Sequence, residues 1–153
     1  FIVECNLGGG RVLYSNILLP VDLGNESSWV KALPTAIRFC ETFGAILHVM
    51  TVIPDFKSSV MIQFLPEDHE DKILDTAEEV LHRFVIERVP ENITAHHVVA
   101  DGTIYKSIID IAEDVGTDLI IMGSHRPELK DYLLGPNAAR VVRHSFKSVL
   151  IVR

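Results

Sequence analysis

The stretch Leu119-Ile120-Ile121-Met122-Gly123-Ser124 contains an unbroken apolar run that ends at a glycine. Such a run is typical of a strand that is buried on both faces, as strands are in a parallel sheet. Before it, Thr103 begins a strongly periodic helical pattern that stops at Gly116, and after it Gly135-Pro136 begins another helix. A buried strand between two helices predicts an α/β fold, in which helices cover the faces of a parallel sheet.

The rest of the chain continues this alternation of strands and helices. Four more strands are predicted, at Val12–Val21, Ala45–Ile53, Ala95–Ala100 and Ser148–Arg153. One helix lies between a cap at Ser27 or Ser28 and the stop at Gly44, and Pro34 inside it predicts a kink or a late start. Another helix starts with Pro66 in its first turn. The order β-α-β-α-β-α-β-α-β predicts one doubly wound domain with helices on both faces of the sheet.

Composition excludes several classes of protein. The chain has 153 residues, 48% of them hydrophobic, and a formal net charge of −7. An acidic chain lacks the basic surface with which nucleic-acid binders neutralise phosphates, and no apolar run approaches the roughly 18 residues that a membrane span needs. We therefore expect neither a nucleic-acid nor a membrane partner. The two cysteines make no disulfide framework, so we expect a buried Cys40 and a cytoplasmic location.

The first residues differ from the rest of the chain. The apolar run Phe1–Cys5 is followed by Gly8-Gly9-Gly10, which is the chemistry of a flexible linker. These glycines do not follow a buried strand or open a helical pattern, so they are not interpreted as a phosphate-binding loop. We predict an extension at residues 1–13 and a single domain at residues 14–153.

The predicted parallel sheet directs attention to the loops that follow its strands. In such sheets ligands bind beyond the carboxyl ends of the strands, here after Val21, Val49 and Met122. The strongest pattern is Gly123-Ser124-His125-Arg126 followed by Gly135-Pro136-Asn137-Ala138. Glycine lets the backbone approach an anion, the amides of a helix N-terminus can bind a phosphate, and Arg126 could add a forked contact. The same residues also fit an ordinary loop before a helix that begins with proline, and on the residues alone both readings stay open.

The histidines do not point to catalysis or to a metal. His48 lies within a predicted strand and is interpreted as a buried histidine with a hydrogen-bond partner. His96 and His97 are neighbours in a strand, so they point to opposite faces and cannot share a metal ion. His125 has no orienting acid nearby in the sequence. No catalytic residue and no metal ligand are predicted.

Several segments together resemble the universal stress protein family. They are Ile17–Asp22, Leu47–Val49, Gly102 before a helix, Leu119–His125, Leu133–His144 and Ser148–Arg153. The resemblance extends from about Tyr14 to Arg153 and is closest to the small nucleotide-binding branch with the F and G types. We accordingly predict a Rossmann-like fold, similar to the adenine nucleotide alpha hydrolases, with five parallel strands in the order 3-2-1-4-5.

The resemblance implies an adenine-nucleotide-binding regulatory protein of stress responses that forms homodimers. Its ligand would be ATP, ADP or AMP, with Mg²⁺ accompanying the phosphates, and the dimer would form through the strand Ser148–Arg153. Asp22 matches the family's acid near the adenine and ribose, and the backbone of Val49 matches the position that reads the adenine edge. The full set of implied ligand-binding residues is Pro20, Val21, Asp22, Val49, Met122, Gly123, Ser124, His125, Arg126, Gly135, Pro136, Asn137 and Ala138.

The phosphate-binding motif departs from the family's pattern. That pattern is a glycine, two residues, a glycine, nine residues, a glycine and then serine or threonine. Here Arg126 takes the second position, eight residues, Pro127–Leu134, separate it from Gly135, and Pro136 replaces the hydroxyl residue. Proline removes a hydroxyl and an N–H group from the place where an anion would bind.

Three functions remain open on this sequence. The first is a nucleotide-binding regulator without fast turnover, which we prefer. The second is a dimeric interaction module that has lost phosphate binding through Pro136. The third is an enzyme that uses ATP, which ranks last because Asp22–Ser27 lacks a pyrophosphate loop and the chain has no Walker A motif. We expect at most slow ATP hydrolysis or self-modification.

Overall fold

A computed structural model describes residues 13–54, 69–124 and 134–153, with the backbone alone at residues 69–71. The strands are β1 (Asn16–Pro20), β2 (Ile46–Pro54), β3 (Ala95–Gly102), β4 (Leu119–Gly123) and β5 (Ser148–Val152). The helices are α1 (Ala32–Phe43), α2 (His69–Arg88), α3 (Ile104–Asp114) and α4 (Pro136–His144), with a 3₁₀ helix at Glu26–Ser28 before α1. Within these ranges no helix is both long and apolar enough to span a bilayer.

The sheet has the order β3-β2-β1-β4-β5, and every neighbouring pair of strands is parallel. The predicted fold class and strand order are therefore confirmed. The bounds of β2 and β3 differ from prediction, because these two strands pair from Leu47 with Ala95 as far as Pro54 with Gly102. The last pair between β1 and β2 is Pro20 with Met50. Strand β2 thus continues for four residues beyond the end of β1.

Helices cover both faces of the sheet. On one face, the side chains of α1 and α2 pack against the odd-numbered residues of the inner strands, including the fully buried Ile17 and Val49. On the other face, α3 and α4 pack against the alternate residues, including Leu18 and Met50. Because successive side chains of a strand point to opposite faces, a strand covered on both faces has to be apolar throughout. This explains the unbroken apolar runs in the sequence.

The connection between β1 and α1 differs from the predicted cap. Neither Ser27 nor Ser28 caps α1, since the side chain of Asn25 instead accepts the N–H of Ser27 at the start of the 3₁₀ helix. Helix α1 begins later, at Ala32, which places Pro34 in its first turn. The amides of a first turn have no partner within the helix, so a proline there costs no hydrogen bond. The late start is confirmed, and the proline is its physical reason.

Trp29 follows the 3₁₀ helix and joins it to α2. Its ring meets that of Phe84 edge to face with centroids 5.0 Å apart, and the guanidinium of Arg88 lies 4.5 Å from the centroid of the Trp29 ring. Phe84 and Arg88 both belong to α2. The indole ring is nine-tenths buried. Such aromatic and cation–π contacts stabilise the packing beyond the burial of area alone. Trp29 therefore anchors the β1–α1 connection against the helical layer.

Two predictions about buried side chains are confirmed at the amino-terminal half of the sheet. Cys40 is buried in α1, and burial raises the pKa of its thiol to about 11, with a smaller contribution from Glu41. His48 is also buried, and its Nε2 lies 3.1 Å from Oδ1 of Asn16. Burial, followed by the neighbouring His96, lowers the pKa of His48. Neither side chain has the exposure that a reactive group needs.

Several predictions fall on residues that the structure does not describe. They are the linker glycines and apolar run of residues 1–12, the helix start at Pro66, and the roles of His125 and Arg126. These remain predictions.

Candidate functional site

A cleft of about 460 Å³ lies at the carboxyl ends of β1, β2 and β4. Strands β1 and β4 are neighbours whose following helices cover opposite faces, so this is the point where the strand order reverses. Parallel sheets bind ligands at that point. The described residues that line the cleft are Pro20, Val21, Asp22, Asn25, Ser28, Met50, Val52, Pro54, Ile104, Ile108, Met122, Gly123, Ser124, Gly135, Pro136, Asn137 and Ala138.

Asp22 stands at the rim of the cleft, where local hydrogen bonds fix its turn. Its Oδ1 accepts the N–H of Gly24 at 3.0 Å, so one carboxylate oxygen holds the turn. The hydroxyl of Ser28 accepts the N–H of Asp22 at 2.9 Å and donates to its carbonyl at 3.2 Å. Asp22 itself is exposed. The other carboxylate oxygen has no partner within the described part of the chain, so it is available to a ligand.

Gly123 ends β4 in close contact with the 3₁₀ helix. A Cβ atom at this position would lie 2.6 Å from the carbonyl oxygen of Ser28, closer than real side chains approach backbone. Only a residue without a side chain fits there. The first glycine of the predicted phosphate loop is therefore required by packing, whether or not a phosphate binds beside it.

The start of α4 forms the other side of the cleft. The N–H of Gly135 donates to the carbonyl of Ser124 at 3.1 Å, and the N–H of Ser124 donates to Val152 at 2.9 Å. Pro136 has no N–H. The amides of Asn137 and Ala138 follow in the first turn, where no acceptor exists within the helix, and no other described group accepts them. These two amides, at the positive end of the helix dipole, are suited to an anion.

The remaining wall of the cleft is apolar. Met50 and Val52 project from β2 on the same face, and Ile104 and Ile108 face them from the first turns of α3. Within the described lining, Asp22 is the one ionisable side chain. A flat apolar ring can therefore lie against this wall while polar groups contact the rim and the start of α4.

The structure brings most of the predicted site residues together. Ten of them line the cleft: Pro20, Val21, Asp22, Met122, Gly123, Ser124, Gly135, Pro136, Asn137 and Ala138. Val49 does not, because it is fully buried on the opposite face of the sheet and pairs with His97 of β3. His125 and Arg126 lie outside the described residues.

Sequence reasoning missed the walls of the cleft. Met50, Val52 and Pro54 alternate along β2, and a period of two from Met50 would have found them. Ile104 and Ile108 are one helical turn apart, and the predicted helix pattern already contained them. Ser28 is predicted only as a possible helix cap, and no ligand contact is predicted for Asn25, which lies in the stretch Asp22–Ser27.

Four of the described histidines form two pairs of neighbouring rings. His96 packs against His48 with ring centroids 5.4 Å apart and the ring planes tilted by 34°, whereas His97 packs against His82 of α2 at 4.9 Å with a tilt of 55°. The two neighbours thus point to opposite faces, as predicted. In the described ranges no group of three or more metal-ligating side chains is assembled.

Comparison with known proteins identifies the family and agrees with the fold. Residues 13–153 match the model of the universal stress protein family. Universal stress protein G of Escherichia coli O157:H7 is 30% identical over 145 residues, which cover 92% of this chain and 100% of that relative.

Solved structures share the fold over nearly the whole chain. The structure of protein MJ0577 of Methanocaldococcus jannaschii is 27% identical, with a TM-score of 0.69 over 92% of this chain and 96% of that one. A universal stress protein in complex with cAMP is 23% identical, with a TM-score of 0.59 over 92% and 97%. The Archaeoglobus fulgidus universal stress protein in complex with dAMP is 18% identical, with a TM-score of 0.65 over 92% and 99%. The likeness to these last two is one of fold.

Proposed function

The chain belongs to the universal stress protein family, and from that premise we propose that it is a regulatory protein that binds an adenine nucleotide in the cleft between β1, β2 and β4. One observation carries the proposal: the cleft lies where the strand order reverses and combines an apolar wall with two amides that have no acceptor among the described residues. Two family members with this fold are complexes with cAMP and dAMP, which are both adenine nucleotides.

We expect the parts of a nucleotide to meet different sides of the cleft. The base lies against the apolar wall of β2 and α3, and the ribose approaches the carboxylate oxygen of Asp22 that has no partner among the described residues. The phosphate approaches the amides of Asn137 and Ala138. Pro136 and Ser124 contribute no free N–H, so few described donors are left for a second and third phosphate. ATP, ADP and AMP, with Mg²⁺ at the phosphates, are therefore ligands to be compared.

The test is direct measurement of binding. Purified protein would be heated to release any bound nucleotide, which chromatography identifies, and calorimetry would then titrate AMP, ADP, ATP and adenosine into emptied protein. We expect micromolar binding of at least one nucleotide. Protein that carries no ligand and gives no heat with any of the four would exclude the proposal and support the nucleotide-free interaction module.

We further propose that the protein acts by binding and by self-association, without fast turnover. Strand β5 is an edge of the sheet, and Phe146 just before it is 98% exposed. An apolar edge strand can pair with the same strand of a second copy. A monomer at micromolar concentration in sedimentation would contradict this dimer. Rapid ATP hydrolysis by a clean preparation would contradict the absence of turnover.

A further inference from the structure

We propose that the side chains of His82 on α2 and His97 on β3 hold one divalent transition-metal ion, such as Zn²⁺, between them. This site is separate from the proposed nucleotide binding, because neither histidine lines the cleft. The sequence predicts no metal ligand, since His96 and His97 point to opposite faces of their strand. The fold, however, places a third histidine, His82, beside His97.

Both histidines take positions where their elements would otherwise carry an apolar side chain. The neighbours of His97 on the same face of β3, Ala95 and Val99, pack against the core that α2 covers. His82 lies one helical turn before Val85, which packs against the same core. Two polar rings therefore lie side by side at the margin of an apolar layer, where two aliphatic side chains would fit.

The separation and tilt of the two rings suit a shared metal ion. Their centroids are 4.9 Å apart and their planes are tilted by 55°. In a tetrahedral site with metal–nitrogen bonds of about 2.0 Å, the centroids of two imidazole ligands lie about 5 Å apart. Parallel stacking would keep the nitrogen lone pairs of the two rings from converging, and the tilt avoids it. A half-turn of either ring about its Cβ–Cγ bond exchanges carbon and nitrogen positions, so each ring can present a nitrogen to the ion.

The ring nitrogens of this pair are available to a ligand. His82 is exposed and His97 is half-buried, so an ion can reach both from the solvent. In the described part of the chain, neither ring forms a hydrogen bond with another residue. Neutral imidazole is the commonest metal ligand among side chains, and it suits Zn²⁺, Cu²⁺ and Ni²⁺ better than Mg²⁺ or Ca²⁺.

The other histidine pair lacks this availability. His48 is buried, and its Nε2 lies 3.1 Å from Oδ1 of Asn16. A metal ion at that nitrogen would break the hydrogen bond, and burial also restricts access to the other nitrogen of the ring. The pair of His48 and His96 therefore serves as a comparison within the same protein.

The proposed site takes two ligands from the protein and the rest from water. Among the described residues, no third metal-ligating side chain is gathered with the pair. We therefore expect a dissociation constant in the micromolar range, weaker than that of structural zinc sites with four protein ligands. The two bonds nevertheless join α2 to β3, which is an edge strand of the sheet. Because the ion binds the folded chain, it should stabilise the packing of α2 on this edge.

The first test titrates Zn²⁺ by calorimetry into tag-free protein from which a chelator has removed any metal. His82→Gln and His97→Gln should each weaken Zn²⁺ binding at least about tenfold, since one of the two protein ligands is lost. His96→Gln is the matched control, because it removes the neighbouring histidine on the opposite face of β3, and it should keep the wild-type affinity. Wild-type protein that binds no Zn²⁺, or variants at His82 and His97 that bind as the wild type does, would overturn the inference. A loss of affinity in His96→Gln alone would assign the ion to the other pair and overturn it equally.

The second test uses the wild-type protein, so it decides the matter if a variant does not fold. Zn²⁺ should shift the imidazole proton resonances of His82 and His97 in NMR spectra and leave those of His48 and His96 in place. At about 100 times its dissociation constant, Zn²⁺ should also raise the midpoint of thermal unfolding by about 5–10 °C. Shifts confined to His48 and His96, or an unchanged midpoint, would contradict a metal ion that joins α2 to β3. None of these outcomes bears on nucleotide binding, which is measured separately at the cleft.

Discussion

The polar groups around the two ends of strand β1 differ in their partners. At the amino end, the carboxylate of Asp118 accepts the N–H groups of Ser15 and Asn16 at 2.6 and 3.0 Å. The N–H of Asp118 returns a bond to the carbonyl of Asn16 at 2.9 Å, and the side chain of Asn16 contacts His48. At the carboxyl end, the amides of Val52, Asn137 and Ala138 have no described partner. The backbone groups named at the amino end are therefore bonded within the fold, although the buried hydroxyl of Thr117 has no described partner there. The three amides named at the carboxyl end are left for a ligand.

This difference separates stability from binding along one strand. Unpaired polar groups contribute little to folding, whereas closed networks contribute to it and offer nothing to a ligand. Substitutions at the amino end of β1 should therefore change the free energy of unfolding and leave nucleotide affinity unchanged. Substitutions at the carboxyl end should change nucleotide affinity and leave the free energy of unfolding unchanged. The exception is Gly123, where the backbones of β4 and the 3₁₀ helix are in close contact.

The largest effect is expected at Gly123. Gly123→Ala should lower the free energy of unfolding by about 1–3 kcal/mol, because its Cβ would overlap the carbonyl of Ser28. Gly24→Ala is the control, since a Cβ there meets nothing closer than 3.4 Å and should cost much less. Urea unfolding measures both. Equal stabilities would show that the 3₁₀ helix can move away from β4, and the packing at the carboxyl end of β1 would then be less tight than described.

The second effect tests the amino end of β1. Asp118→Ala should lower the free energy of unfolding by about 1–2 kcal/mol, because two backbone amides lose a charged acceptor. AMP affinity, measured by calorimetry under conditions where the variant is folded, should match the wild type. A clear loss of affinity would mean that the two ends of β1 are coupled. Asp114→Ala, which removes an exposed carboxylate at the end of α3, is the control.

Acid should also lower stability at the amino end of β1, through His48. The folded protein lowers the pKa of His48 below its ordinary value of 6.5, so folding favours the neutral ring. Its contribution to stability is complete above pH 6.5 and is lost as the pH falls toward the lowered pKa, because the unfolded chain binds the proton first. Unfolding in urea at a series of pH values should show this loss in the wild type and less of it in His48→Gln. An identical pH dependence would contradict the assignment.

The smallest effect is expected at Pro136, in the cleft at the carboxyl end of β1. Pro136→Ser restores an N–H and a hydroxyl at the start of α4, and should tighten ATP by up to about tenfold while leaving adenosine nearly unchanged. Competition between the two ligands measures the difference. Equal changes for both would mean that the phosphates lie away from α4.

The fold could be predicted because each strand and helix shows in its own residues which of its faces are buried. Leu119–Met122 must be buried on both faces, and the helical spacing of Ile104, Ile108 and Ala112 fits one covered face. The late start of α1 could be read from Pro34. The cap at Asn25 could not, because three neighbouring residues can all accept an amide and the tertiary contact of Trp29 selects among them.

The site was predicted in part for a similar reason. Residues adjacent to strand ends, such as Asp22 and Gly135, are found by counting along the chain. The orientation of Val49 is not, because it depends on where β1 stops relative to β2, which is a register between strands and not a property of either sequence.

Trp29 gives the protein an internal optical reporter. It is the single tryptophan of the chain, and it follows directly after Ser28, which lines the cleft. Its indole is shielded from solvent between Phe84 and Arg88. When tryptophan is excited selectively, the emission therefore originates next to the connection that holds Asp22, so a ligand-driven movement of this turn would change the fluorescence without any attached dye.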